Sequence, residues 1–280
     1  MLYQSIRRLT LIANVRSKMD KISSKTSDGQ EKILTIIGPT GSGKTGLAIA
    51  VAQELSRRRG ILMPDCACEV ISADSRAIYK GLDIGTAKPT VEEMQGVPHW
   101  GIDLVGPGER FTVADFKEYA EQKISEIVQR GHLPIIAGGT GLYVDALIFN
   151  YSFSEKAKKS YSDRDKMSEQ FLVIGIDWPR DELRKRLRLR AEQFFDQDIE
   201  KEYKWAAEHY DSDSQAMKSN IYPIIRDMLD GKITREEAID AFVLDDWHLA
   251  KRQLTWFKRN PNIIWLPLDE AKDFILNTYS

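Results

Sequence analysis

The chain is poor in the residues that carry covalent and metal chemistry. It has two cysteines, Cys66 and Cys68, and four histidines, His99, His132, His209 and His248. The cysteines stand one residue apart, a spacing that suits neither a zinc site nor a structural disulfide. Reduced thiols are therefore expected, as in a cytosolic protein. No two histidines have metal-ligand spacing. There is no Gly-x-Ser-x-Gly elbow and no Cys/His nucleophile pattern, so hydrolysis through a covalent intermediate has no support. No apolar run reaches the roughly 18 residues that cross a bilayer. Charge of one sign is also lacking. The formal net charge is −2, which argues against sequence-blind attraction to nucleic acid, and any RNA contact has to come from local basic patches.

What is present suits an ordinary globular core, with 42% hydrophobic residues in a chain of 280. That length fits one large α/β domain or two small ones. Residues 1–30 stand apart. They hold Arg7, Arg8, Arg16, Lys18, Lys21 and Lys25, several Ser and Thr, and no acid before Asp20. This reads as a basic disordered tail, with an organellar transit peptide as the alternative and Met19 as an alternative start.

The most informative stretch is Gly38-Pro39-Thr40-Gly41-Ser42-Gly43-Lys44-Thr45. It meets the phosphate-binding loop pattern at every fixed position. A β-branched run precedes it at residues 33–37. After it, Ala48, Val51, Ala52 and Leu55 mark one face of a helix. Loop amides and a helix N-terminus then converge on one spot and favour an anion there. Lys44 adds a point charge, and the Thr45 hydroxyl offers a ligand for Mg²⁺. The loop implies a polyphosphate without saying which one.

Further along, residues 69–74 read as a strand ending in Asp74, and a Gly-rich polar loop follows to Thr90. Residues 100–105 read as a third strand. Thr112 and Asp115 form a helix start, and Gly131 ends that helix. Residues 133–137 read as a fourth strand that turns out through Gly138-Gly139-Thr140 into another helix. Strands alternating with helices predict an α/β fold with a phosphate-loop, doubly wound parallel sheet and a helical C-terminal part. Ligands bind such sheets beyond the carboxyl ends of the strands. The phosphate loop, Asp74-Ser75 and Gly138-Gly139-Thr140 are therefore expected to face one crevice. Residues 151–170, with Lys156, Lys158 and Lys159, read as a surface link, and a strand returns at residues 171–178. Pro179 opens a helix bearing Arg180, Arg184, Lys185, Arg186, Arg188 and Arg190. That helix is either a solvated face paired with the acids that follow or a phosphate-contacting one. Thr234 and Glu237 start a last long helix. Its Asp245 to Arg259 stretch interleaves cations with aromatics, which suits either an RNA-facing surface or an amphipathic face on the sheet.

Taken together, residues 38–45, Ile71-Ser72-Ala73-Asp74-Ser75, Tyr79 to Pro89, Pro98-His99, Ile102-Asp103, Asp115-Phe116, Gly138 to Tyr143 and Ala250 to Phe257 resemble the tRNA dimethylallyltransferases, also called tRNA isopentenyltransferases. The resemblance is dense over residues 33–147 and thinner over 171–266. It implies transfer of a dimethylallyl group from its diphosphate to N6 of adenosine 37, beside the tRNA anticodon. Gly38, Pro39, Thr40, Gly41, Ser42, Gly43, Lys44 and Thr45 would then hold the donor diphosphate, with Mg²⁺ on Thr45 and Lys218 assisting. Asp74 matches the family's general base, and Thr140 a substrate-touching partner beside it. Ser75, Arg76 and Ala77, with Asp74 and Thr140, match tRNA contacts, as do Lys251, Arg252 and Gln253. The implied protein is a cytoplasmic monomer, with no membrane association, that meets the anticodon stem-loop.

Departures accompany the match. The link at 151–170 replaces the family's helical insertion, which leaves residues 31–280 as one catalytic domain. Trp100 stands where the family commonly has a second His, and Ala77 where many members have Gln. Lys218 replaces an Arg and loses its bidentate fork. Asp246-Trp247 stands where Thr-Arg is frequent. Three other readings stay open from the residues alone: prenylation of free AMP, ADP or ATP, a small-metabolite kinase, and a non-catalytic RNA-binding remnant.

Overall fold

The computed structural model describes residues 22–61, 65–153, 166–219 and 221–279. Most of the basic tail and Lys156, Lys158 and Lys159 of the 151–170 link lie outside the described residues. Residues 22–30 belong to the fold, ahead of the boundary expected at residue 31. Lys25 pairs antiparallel with Glu31, the Ser27 hydroxyl donates to Glu169 at 2.8 Å, and Ile22 packs on the core.

Six strands form one parallel sheet: β1 (Ile33–Ile37), β2 (Cys68–Ala73), β3 (His99–Trp100), β4 (Leu133–Gly138), β5 (Phe171–Ile176) and β6 (Ile264–Leu266). Their spatial order is β3-β2-β4-β1-β5-β6. All of β1, β4 and β5 is buried. Strands covered on both faces read as continuous apolar runs, which is what the sequence shows there. One face packs on α1 (Lys44–Arg58), with Leu47, Val51 and Leu55 buried, and on α9 (Leu268–Thr278). The other packs on α3 (Val113–Gln129) and α4 (Gly141–Ile148), where the rings of Phe116 and Tyr143 stack at 4.1 Å. One short helix, α2 (Val91–Met94), lies between β2 and β3.

A third core belongs to the helical part. Here α5 (Arg180–Phe195), α6 (Ile199–His209), α7 (Ile221–Leu229) and α8 (Arg235–Phe257) enclose Phe194, Ile199, Ile221, Tyr222, Ile225 and Phe242 together with Ile78 and Leu82 of the loop after β2. The capping boxes at Thr112/Asp115 and Thr234/Glu237 are both formed.

The third strand is shorter than expected. It stops at Trp100 because Gly101 (φ 80°) and Asp103 (φ 53°) take left-handed backbone, and a side chain at Gly101 would press on Ser72 O. Only Val105 regains a bridge, to Tyr79.

The polar loop after β2 is held by two charged side chains. Glu202 of α6 accepts the backbone N–H groups of Asp83, Ile84 and Gly85 at 2.7, 2.6 and 2.8 Å, and the Tyr222 hydroxyl at 2.8 Å. Successive amides of this kind form a nest that favours an anion. Buried Lys88 donates to Asp83, Asp103 and the Tyr79 carbonyl. Residues 79–89 are thus a fixed wall.

Candidate active site

The phosphate loop runs from β1 into α1. Gly43 precedes the helix at φ 89°, a conformation glycine adopts without strain. No acid occupies the first turn of α1, so the positive end of the helix faces the cavity uncompensated from within. Lys44 Nζ donates to the Pro39 carbonyl at 2.8 Å. Burial pushes its pKa down to about 8, while Asp74 and Asp246 pull it up and Arg190 pushes it down. Thr45 is exposed on the wall of the cavity.

That cavity measures about 490 Å³. The expected crevice is formed: Thr40, Gly41, Gly43, Lys44 and Thr45 of the loop, Asp74 to Ala77, and Gly138 to Leu142 line it, whereas Gly38, Pro39 and Ser42 do not. The β2 and β4 ends come close because position 138 is glycine. A Cβ there would sit 2.2 Å from Ala73 O. Asp74 Oδ1 accepts the N–H of Arg76 at 2.8 Å, which shapes the turn. Its other oxygen has no hydrogen-bond partner among the described residues. Thr140 Oγ1 accepts from Ser75 N at 2.9 Å and donates to Ser75 Oγ at 3.2 Å, tying the β4 turn to the one carrying Asp74. Gly85, Thr86, Ala87 and Pro89 also line the cavity.

The remaining expected residues divide. Arg252 and Gln253 reach the cavity. The Gln253 carboxamide is already engaged, accepting from Thr40 N at 2.7 Å and donating to Gly139 O at 3.0 Å. It joins the cradle to the β4 turn. Lys251 lies outside the cavity lining, exposed, with its amine 5.8 Å from the Trp247 ring centre. Lys218 is a correction: it does not line the cavity, its side chain is 53% exposed, and its nearest ionic partner is Asp213 at 3.6 Å.

Three further residues brace the cradle, and two of them, Arg186 and Arg190, lie on the helix for which phosphate contact is one of the two expected readings. Arg186 Nε donates to Gly41 O at 2.8 Å and its guanidinium lies 4.6 Å from the Trp178 ring centre. Trp178 Nε1 donates to Ser42 O at 3.0 Å. Arg190 donates to the Thr40 hydroxyl and to Asp246, the latter at 3.3 Å. The signal was spacing. Arg186 and Arg190 stand four apart, beside the buried Leu183 and Leu187 of the same helix. Arg188 and Lys185 take the solvated reading instead, Arg188 pairing with Glu192, Glu236 and Asp240, and Lys185 with Glu182.

A parallel sheet, a phosphate loop after β1 and a carboxylate after β2, two strands away with β4 between them, define a phosphate-loop enzyme with a cavity beside its loop. A protein-family model described as IPP transferase matches residues 77–169 and 152–260. The chain is 35% identical to the tRNA dimethylallyltransferase of Acetivibrio thermocellus, covering 86% of this chain and 93% of that one. It is 32% identical to that of Halalkalibacterium halodurans, again covering 86% and 93%. The structure of the tRNA isopentenylpyrophosphate transferase from Bacillus halodurans superposes with a TM-score of 0.73 at 32% identity, covering 89% of this chain and 97% of that one. A Staphylococcus epidermidis counterpart also gives 0.73, at 31% identity over 88% and 97%. The chain belongs to the IPP transferase family. The first alignment runs over 301 positions, more than the 280 residues here, so that relative has positions without a counterpart in this chain.

Proposed function

We infer that this protein transfers a dimethylallyl group from dimethylallyl diphosphate to N6 of adenosine 37 in tRNA. The observation that carries the reading is the meeting of the phosphate cradle, with Lys44 and Thr45, and the Asp74–Thr140 corner on one cavity. The names of the relatives support the same chemistry. The diphosphate would lie against the loop amides and Lys44, where the charge of a departing pyrophosphate is stabilised. Nitrogen N6 attacks the allylic carbon, the carbon–oxygen bond to the diphosphate breaks, and the N6 proton passes to Asp74. A base buried in an RNA stack has to turn out to reach a cavity of this kind. Ser75, Arg76, Ala77 and Arg252 line the cavity that would receive it.

The residues fit Mg²⁺ as an ion that arrives with the donor. Thr45 offers one hydroxyl on the cavity wall, and no group of three or more His, Cys, Asp or Glu among the described residues forms a standing metal site. Bound there, the ion would neutralise diphosphate charge. Arg190 replaces Lys218 in the proposed diphosphate set, because it reaches Thr40 of the loop.

The link at 151–170 stands in this reading for the family's insertion, and the two matches to the family model meet at residues 152–169. The enzyme is read as a cytoplasmic monomer, and no helix among the described residues is long and apolar enough to cross a membrane. The test is incubation with Mg²⁺, dimethylallyl diphosphate and either an anticodon stem-loop carrying adenosine 37 or free AMP, followed by digestion and mass spectrometry. N6-dimethylallyladenosine from the stem-loop alone is expected. Product from AMP alone would sink the reading.

A further inference from the structure

Asp246 is a carboxylate on the wall of the phosphate cavity with only 4% of its surface exposed. Its Oδ2 lies 3.3 Å from an Arg190 guanidinium nitrogen that also donates to Thr40 of the loop. The charged and polar groups facing it come from three elements. Arg190 projects from α5, Thr40 and Lys44 from the loop and the start of α1, and Asp245 from its own helix. Lys44 is shared with Asp74, and Arg252 lines the same cavity. Burial raises the Asp246 carboxyl above its ordinary value and Asp245 adds to the rise, while Arg190, the Thr40 hydroxyl and Lys44 oppose it. Among the groups that favour its charged form, Arg190 acts most strongly.

We propose that Asp246 is a positioning residue that acts through Arg190 and makes binding of a diphosphate proton-linked. The inference rests on the cradle being a diphosphate site. In the empty cradle Asp246 keeps Arg190 aimed at Thr40 and neutralises it. An entering diphosphate carries more negative charge than the carboxylate and competes for the same guanidinium hydrogens. Asp246 then loses its main cationic partner and gains an anionic neighbour in a place with little water. Its charged form is disfavoured on both counts. One solvent proton adds to a carboxylate oxygen as the diphosphate enters, and it returns to solvent when pyrophosphate leaves. No other covalent bond changes.

Calorimetric titration with inorganic pyrophosphate and Mg²⁺, repeated in buffers of different ionisation enthalpy between pH 6 and pH 8, tests this. The comparison is the unsubstituted protein against Asp246→Asn. Because free pyrophosphate titrates identically in both, the difference arises in the bound site. The unsubstituted protein should take up about one more proton per site than the variant near the low end of the range, and its affinity should fall more steeply with pH. Equal uptake and parallel pH profiles would overturn the proposal. Should Asp246→Asn fail to fold by circular dichroism, Asp246→Thr serves under the same criteria. Absence of any pyrophosphate binding to the unsubstituted protein would overturn the diphosphate reading of the cradle, and this inference with it.

Discussion

Gln253 and Thr40 meet across 213 positions of sequence, where the Gln253 side-chain oxygen accepts the Thr40 backbone N–H at 2.7 Å. The same carboxamide donates to Gly139 O. One side chain from α8 therefore fixes the distance between the anion cradle and the turn that carries Thr140. Gln253→Ala leaves a loop donor and a turn acceptor without their partner. Each unmet group costs about 1–3 kcal/mol. The expected result is a lower Tm and pyrophosphate binding weakened by about tenfold. Unchanged binding would mean that the bridge does not hold the cradle.

Glu202 serves loop 79–89. Glu202→Ala removes the acceptor of three amides and the Tyr222 hydroxyl. Loop 79–89 should then become sensitive to proteolysis. Turnover on the RNA should fall by roughly a hundredfold, the scale of an ångström-sized misplacement at an active site. Pyrophosphate binding should stay near normal, because no residue of that loop belongs to the cradle. A variant that loses pyrophosphate binding and keeps RNA turnover would contradict this assignment.

Glu69 predicts a pH-dependent stability. It is 3% exposed, pairs with Arg130 at 2.9 and 2.8 Å, and accepts from His132 and from Trp100 Nε1. Burial pushes the carboxyl up, but Arg130, His132 and Trp100 outweigh it and leave the pKa lowered. A depressed folded value contributes stability above the unfolded value of about 4.3, and that contribution fades as pH falls through the folded value. Glu69→Gln should cost about 1–2 kcal/mol at pH 7, because the Arg130 side chain is 42% exposed and water screens the pair. The gap should shrink toward pH 3. Urea unfolding at both pH values measures it, and a constant gap would exclude the carboxylate charge as its source. The same cluster explains Trp100: its indole N–H supplies a donor to Glu69.

Local features of this fold were legible in the sequence because their causes are local. The phosphate loop, the two capping boxes and the buried strands each depend on residues within a few positions of one another. The third strand was read too long because residues 100–105 have strand composition. The positive φ angles that end it accompany contacts of Gly101 with Ser72 of β2 and of Asp103 with Ala77 and Lys88 in the following loop, which composition does not record. In the site, Asp74 and Thr140 were found through family motifs. The sequence leaves Arg190 open between solvent and phosphate and does not show the role of Asp246 or the bridging role of Gln253, because each is defined by a contact across 56 to 213 positions. Lys218 erred the other way. A family position was carried over, and here its side chain extends to Asp213 instead of the cavity.

In the proposed reaction Asp74 takes the proton from the attacking nitrogen while the phosphate cradle holds the leaving group. The most direct measurement is single-turnover transfer to an adenosine-37 stem-loop by Asp74→Asn, paired with pyrophosphate binding to the same protein. Loss of a general base predicts a rate lowered by about 10²–10⁴-fold, with pyrophosphate affinity close to that of the unsubstituted protein. A variant that transfers the prenyl group at the unsubstituted rate, while binding pyrophosphate normally, would contradict the account.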